Sequence, residues 1–210
     1  MHQEKILIFG DSYSTYEGYI PEGYATYYPK TNELNVCDVT HTWWKMLAEE
    51  TGSDIIMNNS WSGSTICNTG YNGDCSATSS FIHRLEVLIE TGFFVKNKID
   101  RIFVFGGTND SWTQNLCGEL KFSDWTVSDL KLILPGICFF IDKLQSVVAK
   151  EKIHIIINTD LRDDVSNGIL DICKHYDINY TLLKHIEKFE GHPTCKGMLQ
   201  IKNQILHNIN

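Results

Sequence analysis

The sequence has no apolar run approaching the ~20 residues that span a bilayer, so no membrane-crossing helix is expected. It has no excess of positive charge. Its 18 Lys and Arg against 26 Asp and Glu leave a net charge of −8, which favours solubility and removes the electrostatic footprint of a nucleic-acid partner. It has no CxxC pair. Cys37, Cys67, Cys75, Cys117, Cys138, Cys173 and Cys195 form an odd set without a repeating spacing, a poor disulfide framework. Cys138 and Cys173 fall on apolar faces and read as small core residues. His192 and Cys195 make an HxxC, but no second ligand pair stands nearby, so no structural zinc is expected. No repeat or low-complexity linker interrupts the chain, and one domain over residues 1–210 is expected. The N-terminus lacks a secretory pattern. Lys5 leads into only four apolar residues, Ile6 to Phe9, with no small-residue cleavage site behind them, so a first buried strand and a cytoplasmic product are expected.

What is present is an alternation. Short β-rich runs occur at Lys5–Phe9, Asp54–Met57, Arg101–Phe105, Ile153–Asn158 and Asn179–Leu183. Continuous apolar runs of this length suit strands buried on both faces. Between them lie stripes of helical period: Trp43, Trp44, Leu47 and Ala48 before a stop at Gly52; Phe81, Leu85, Leu88 and Ile89 ending near Gly92; Ile137, Ile141, Leu144 and Val148, with Pro135 in the first turn; Val165, Ile169, Ile172 and Tyr176; and Met198, Ile201, Ile205 and Ile209. The pattern predicts an α/β fold: a doubly wound, mainly parallel five-stranded sheet of flavodoxin-like order in a three-layer α/β/α arrangement. Right-handed crossovers then gather the C-terminal ends of the strands along one edge, where ligands bind in such folds. Two stretches escape the alternation, 14–40 with its many Tyr and Gly, and 61–77, rich in Ser, Thr, Asn and Gly. Both exceed minimal connections, and long loops on a compact domain are often functional.

The residues after the strands carry the chemistry. Gly10-Asp11-Ser12-Tyr13-Ser14 follows the first strand and Asn58 through Thr65 the second; Gly106-Gly107-Thr108-Asn109-Asp110 follows the third, and Gly191-His192-Pro193 the fifth. Each alone reads equally as turn chemistry, and a lone His is usually structural or merely exposed, the reading given to His83, His154 and His207. Together, at one sheet edge, they supply a nucleophile, three oxyanion donors and a base, the set needed for acyl transfer.

These blocks, in this order and over nearly the whole chain, resemble the SGNH (GDSL-like) hydrolases. The resemblance implies an esterase with Ser12 as nucleophile, His192 as general base, and an oxyanion hole from Ser12 and Gly63 with Asn109 of Gly107-Thr108-Asn109-Asp110. It implies no metal and no organic cofactor. One position departs: the family places Asp three residues before its catalytic His, where this chain has Phe189. Glu190 could orient the imidazole through a tightened turn, Glu187 through a bulge, or a backbone carbonyl could hold the ring in a Ser–His dyad; both glutamates also read as solvated surface charge.

The expected reaction is ester cleavage through an acyl-enzyme. Tyr13, Tyr16, Tyr19, Tyr24, Tyr27 and Tyr28 in the loop after Ser12, with Trp61, could stack on sugar rings or simply anchor the loops. No large apolar lid is visible, which points to a small-acyl or acetyl-carbohydrate esterase and away from a long-chain lipase. Three other readings stand beside it: an acyltransferase on the same residues, an inactive ligand-binding module on the same fold, and a nucleotide-binding domain. The last lacks a GxGxxG or GxxxxGK[ST] loop after any strand.

Overall fold

The computed structural model describes residues 3–209. Its strands are β1 (Lys5–Gly10), β2 (Asp54–Ser60), β3 (Thr69–Gly70), β4 (Gly73–Asp74), β5 (Arg101–Phe105), β6 (Ile153–Ile157), β7 (Asn179–Leu182), β8 (Lys188–Phe189) and β9 (His192–Pro193). Its helices are α1 (Trp43–Thr51), α2 (Phe81–Glu90), α3 (Phe93–Lys96), α4 (Thr108–Trp112), α5 (Ile133–Gln145), α6 (Asp163–Tyr176) and α7 (Cys195–Ile209). Five strands form one sheet in the order β2-β1-β5-β6-β7, every neighbouring pair parallel, the flavodoxin-like order the alternation predicts.

Side-chain alternation along the strands builds two cores. Leu7 and Phe9 of β1 join Ile102, Val104, Ile155 and Ile157 beneath α2, α5 and α6. Ile6 and Ile8 join Phe103, Phe105 and Ile156 beneath α1 and α7. Both sheet faces are thereby covered, and each fully buried Ile, Leu or Phe contributes about 1.5–3 kcal/mol. α1 begins and ends where the sequence signals it. Thr42 caps α1 by accepting the N–H of Lys45, and Gly52 ends it in the left-handed region at φ 66°. Val148 lies beyond α5, which stops at Gln145. Among the described residues, no helix is long and apolar enough to cross a membrane.

β2 is longer than its apolar run. It continues through Asn58, Asn59 and Ser60, which pair with Ile8, Phe9 and Gly10. These residues are buried, and their side chains are satisfied locally. Asn58 Nδ2 donates to the carbonyl of Ser14 at 2.8 Å, and Ser60 Oγ donates to Asn58 Oδ1 at 2.5 Å. Polar residues can occupy a buried strand when each finds a partner, and here Asn58 ties the strand end to the loop that carries Ser12, while Asn59 Oδ1 accepts from Arg84.

Candidate active site

Ser12 opens a short 3₁₀ turn, Ser12–Ser14, directly after β1. Asp11 caps that turn, its Oδ1 accepting the N–H of Tyr13 at 3.0 Å. Burial raises the Asp11 carboxyl to about 7, against the opposing pull of that N–H. Ser12 Oγ lies 3.0 Å from His192 Nε2.

His192 starts β9, the second arm of a two-stranded hairpin with β8. Phe189 pairs directly with His192, and only Glu190 and Gly191 lie between them, at φ 47° and 80°. Two central residues of positive φ make the type I′ pattern that closes tight hairpins. A Cβ at Gly191 would also lie 3.0 Å from the Trp112 ring, so glycine is required there twice over. This hairpin supplies a ring partner where the aspartate is absent. The position three before the His is its cross-strand neighbour, and the turn brings the carbonyl of Glu190 to 3.3 Å from Nδ1. Neither carboxylate meets the ring in this arrangement. Glu187 instead accepts from Thr194 Oγ1 at 2.7 Å and pairs with Lys196 Nζ at 2.8 Å. The Glu190 side chain is exposed. Of the three ring partners that the sequence left open, the structure brings only the backbone carbonyl into contact.

That contact fixes the tautomer. A carbonyl only accepts, so Nδ1 carries the proton and the lone pair of Nε2 faces the Ser12 hydroxyl. Burial lowers the His192 pKa below its ordinary value, the Glu190 carbonyl opposes the shift, and the positive charges of Lys188 and Lys30 add to it. The long Tyr-rich loop anchors the same segment. Tyr13 OH donates to the carbonyl of Gly191, and Tyr28 OH to that of Pro193 at 2.7 Å, one on each side of His192. Tyr27 stacks on the imidazole at 3.7 Å between centroids and 9° between planes, with Trp112 approaching at 5.9 Å and 75°.

Gly63 stands in the loop after β2, and Asn109 in the first turn of α4, which follows β5. Gly63 has φ 79°, a conformation that favours glycine. The N–H groups of Ser12 and Gly63 donate to no other group among the described residues. Asn109 Nδ2 donates one hydrogen to the carbonyl of Ser64 at 2.9 Å, while Oδ1 accepts from Tyr71 OH at 3.1 Å. Because a carbonyl cannot donate, the amide orientation is set, and the second Nδ2 hydrogen remains available. The neighbouring Asp110 ties the two loops together: its carboxylate accepts the N–H groups of Ile66, at 2.9 Å to Oδ2, and Cys67, at 3.0 Å to Oδ1. Its carboxyl is raised by burial, with those two N–H bonds acting against the shift.

Beneath these loops lies Arg84, buried on α2. Its guanidinium donates to the carbonyl and, at 2.9 Å, to Oδ1 of Asn59. It also donates to the carbonyl of Gly10 at 3.3 Å, to Ser64 Oγ at 3.0 Å and to the carbonyl of Ser79 at 3.0 Å. Burial lowers its pKa to about 9. Sequence reasoning missed Arg84, although a charged residue between Phe81 and Leu85 on an apolar stripe was the available signal. It also missed Tyr71, which nothing marked within its polar loop. No group of three or more His, Cys, Asp or Glu side chains among the described residues is placed to hold a metal ion.

With this geometry in hand, comparison with known proteins decides the family. The GDSL-like lipase/acylhydrolase family model matches residues 4–209. The chain belongs to that family. A crystal structure from Bacteroides ovatus, described as a GDSL-like lipase, is 35% identical with a TM-score of 0.90, covering 100% of this chain and 99% of its own. Another from Bacteroides uniformis, described in the same way, is 36% identical with a TM-score of 0.90, covering 99% and 95%. A family two carbohydrate esterase from Clostridium thermocellum, in complex with cellohexaose, shares the fold at 15% identity and a TM-score of 0.63, covering 98% of this chain and 63% of its own. No curated protein matches the chain significantly.

Proposed function

We propose that this chain is a serine esterase working through a Ser12–His192 dyad, with acetyl or other short acyl groups on a carbohydrate as its substrate class. The observation that carries the reading is the 3.0 Å contact between Ser12 Oγ and the unprotonated Nε2 of His192. His192 takes the Ser12 proton as Oγ attacks the ester carbonyl. The N–H groups of Ser12 and Gly63 and the Asn109 amide receive the oxyanion, each donor of this kind typically being worth ~10²–10³ in rate. His192 then protonates the leaving alcohol, and water repeats the sequence on the acyl-enzyme.

The ring contact from Glu190 matters to this choice. A missing aspartate is the main argument for an inactive binding module, and a carbonyl that fixes the tautomer supplies the positioning without it. The carbohydrate half of the reading rests on the aromatic side chains around the site and the shared fold with an esterase bound to cellohexaose. Ser12→Ala should abolish hydrolysis of p-nitrophenyl acetate and labelling by a fluorophosphonate probe while leaving the circular dichroism spectrum intact. Retained turnover in the purified variant would end the assignment. Product analysis with added sugar distinguishes transfer to an alcohol from transfer to water. Acetyl and butyryl esters should be cleaved faster than lauroyl esters.

A further inference from the structure

Beside Gly63 the protein has a cleft of about 290 Å³, walled by Trp61 and by Tyr71 at the tip of the β3–β4 hairpin. Its volume falls at the small end of ligand pockets and suits a single sugar ring. Trp61 is braced from behind by Tyr24, whose ring lies 4.3 Å away at 33°. Tyr71 is 55% exposed. The side chains of Ser62, Asn72 and Ser79, which also line the cleft, have no hydrogen-bond partner among the described residues. The one charged lining group, Asp74, is already engaged by Lys131 at 2.9 Å and by the N–H of Ser76. Two aromatic walls, free neutral donors and acceptors, and no uncommitted charge suit a neutral polyhydroxylated ring, whose C–H face packs on an aromatic surface while its hydroxyls find polar partners. Charged ligands have nothing to pair with.

The cleft also touches the reaction machinery at two points. Gly63 forms part of its lining, and the Tyr71 hydroxyl holds the Oδ1 of Asn109. We propose that this cleft is the subsite for the alcohol half of the ester, taking one pyranose ring, and that Tyr71 is at once its wall and the positioning residue for Asn109. The proposal rests on the esterase reading of Ser12 and His192 and adds where the sugar lies.

The test compares kcat/KM for the mono-O-acetyl esters of methyl glucoside with that for ethyl acetate, whose alcohol is too small to fill the cleft. The wild-type protein should favour at least one acetylated glucoside by ten-fold or more. Asn72→Ala combined with Tyr71→Leu should lower that ratio at least five-fold. Tyr71→Phe keeps the wall but releases Asn109, so it should lower kcat on both esters and largely preserve the ratio. Cleavage of ethyl acetate without preference for any glucoside, or a ratio untouched by the double variant, overturns the subsite and leaves the esterase reading standing. Failure to cleave either ester overturns both. A loss of ratio in Tyr71→Phe equal to that in the double variant assigns Tyr71 to the hydroxyl contact alone and overturns its role as a wall.

Discussion

Removing the negative charge of Glu190 and Glu187 should leave the reaction almost unchanged. In a Ser-His-Asp triad, exchanging the carboxylate for an amide costs about 10⁴ in kcat because the imidazole is left in the wrong tautomer. Here Nδ1 faces the carbonyl of Glu190 at 3.3 Å, and a main-chain carbonyl is the same acceptor whichever side chain follows it. Glu187 is occupied by Thr194 and Lys196. Glu190→Gln, Glu187→Gln and the double variant should therefore each keep kcat for p-nitrophenyl acetate within about three-fold, since less than 1 kcal/mol of barrier is at stake. The pH profile supplies a second check. The base must be neutral to act, so the rate falls as pH drops through the His192 pKa. Burial places that pKa below the ordinary 6.5, and no carboxylate raises it again, so the acid limb of kcat/KM should lie below 6.5 and stay there in all three variants. A loss of ~10²-fold in either single Gln variant would refute the reasoning. So would a limb above 6.5 that moves down when the charge is removed, because both are signatures of a carboxylate on the ring.

The sheet was legible because its signal is redundant. Five apolar runs, each too short for a helix, alternate with amphipathic stripes, and the strand order follows from right-handed crossovers. The strand misjudged by more than one residue, β2, ends in Asn58-Asn59-Ser60, whose polarity reads as loop until partners such as Ser14 and Arg84 are known. Partners distant in sequence are what a single chain cannot display. The same limit applies at the site. Ser12, Gly63 and Asn109 sit shortly past β1, β2 and β5, where position alone makes them candidates, whereas His192 comes ten residues after β7 and starts β9. The ring partner of His192 is a main-chain atom, and every residue carries one, so no residue type could announce it. The crowd of tyrosines in residues 13–28 was a signal without an address. Only the fold shows Tyr13 and Tyr28 bonded to the carbonyls flanking His192, and Tyr27 lying flat on the imidazole.

Three further substitutions test the parts of the site separately. Asn109→Ala should lower kcat by ~10²–10³ with a much smaller change in KM, because in the proposed mechanism the amide meets the oxyanion more strongly than the ground-state carbonyl; steady-state kinetics showing a change confined to KM would make it a substrate-binding residue. Tyr27→Leu removes a ring stacked at 3.7 Å on the imidazole. An aromatic pair is worth about 0.5–1.5 kcal/mol, so kcat should fall roughly two- to ten-fold, Tyr27→Phe should restore it, and equal losses in Phe and Leu would assign the effect to the hydroxyl. Arg84→Met concerns stability. The substitution removes a buried charge, which is favourable, but it strips donors from the buried carbonyls of Gly10 and Asn59 and from the half-buried carbonyl of Ser79. Each stranded acceptor costs about 1–3 kcal/mol, so the acceptors should outweigh the relieved desolvation and leave a net loss of roughly 3 kcal/mol. Urea unfolding should record that loss as a lower midpoint at unchanged slope. Arg84→Lys, with three donors on a more flexible stem, should recover part of it. A Met variant as stable as the wild type would mean that the strand ends β1 and β2 hold their geometry without the guanidinium, and that Arg84 merely fills space beneath the site.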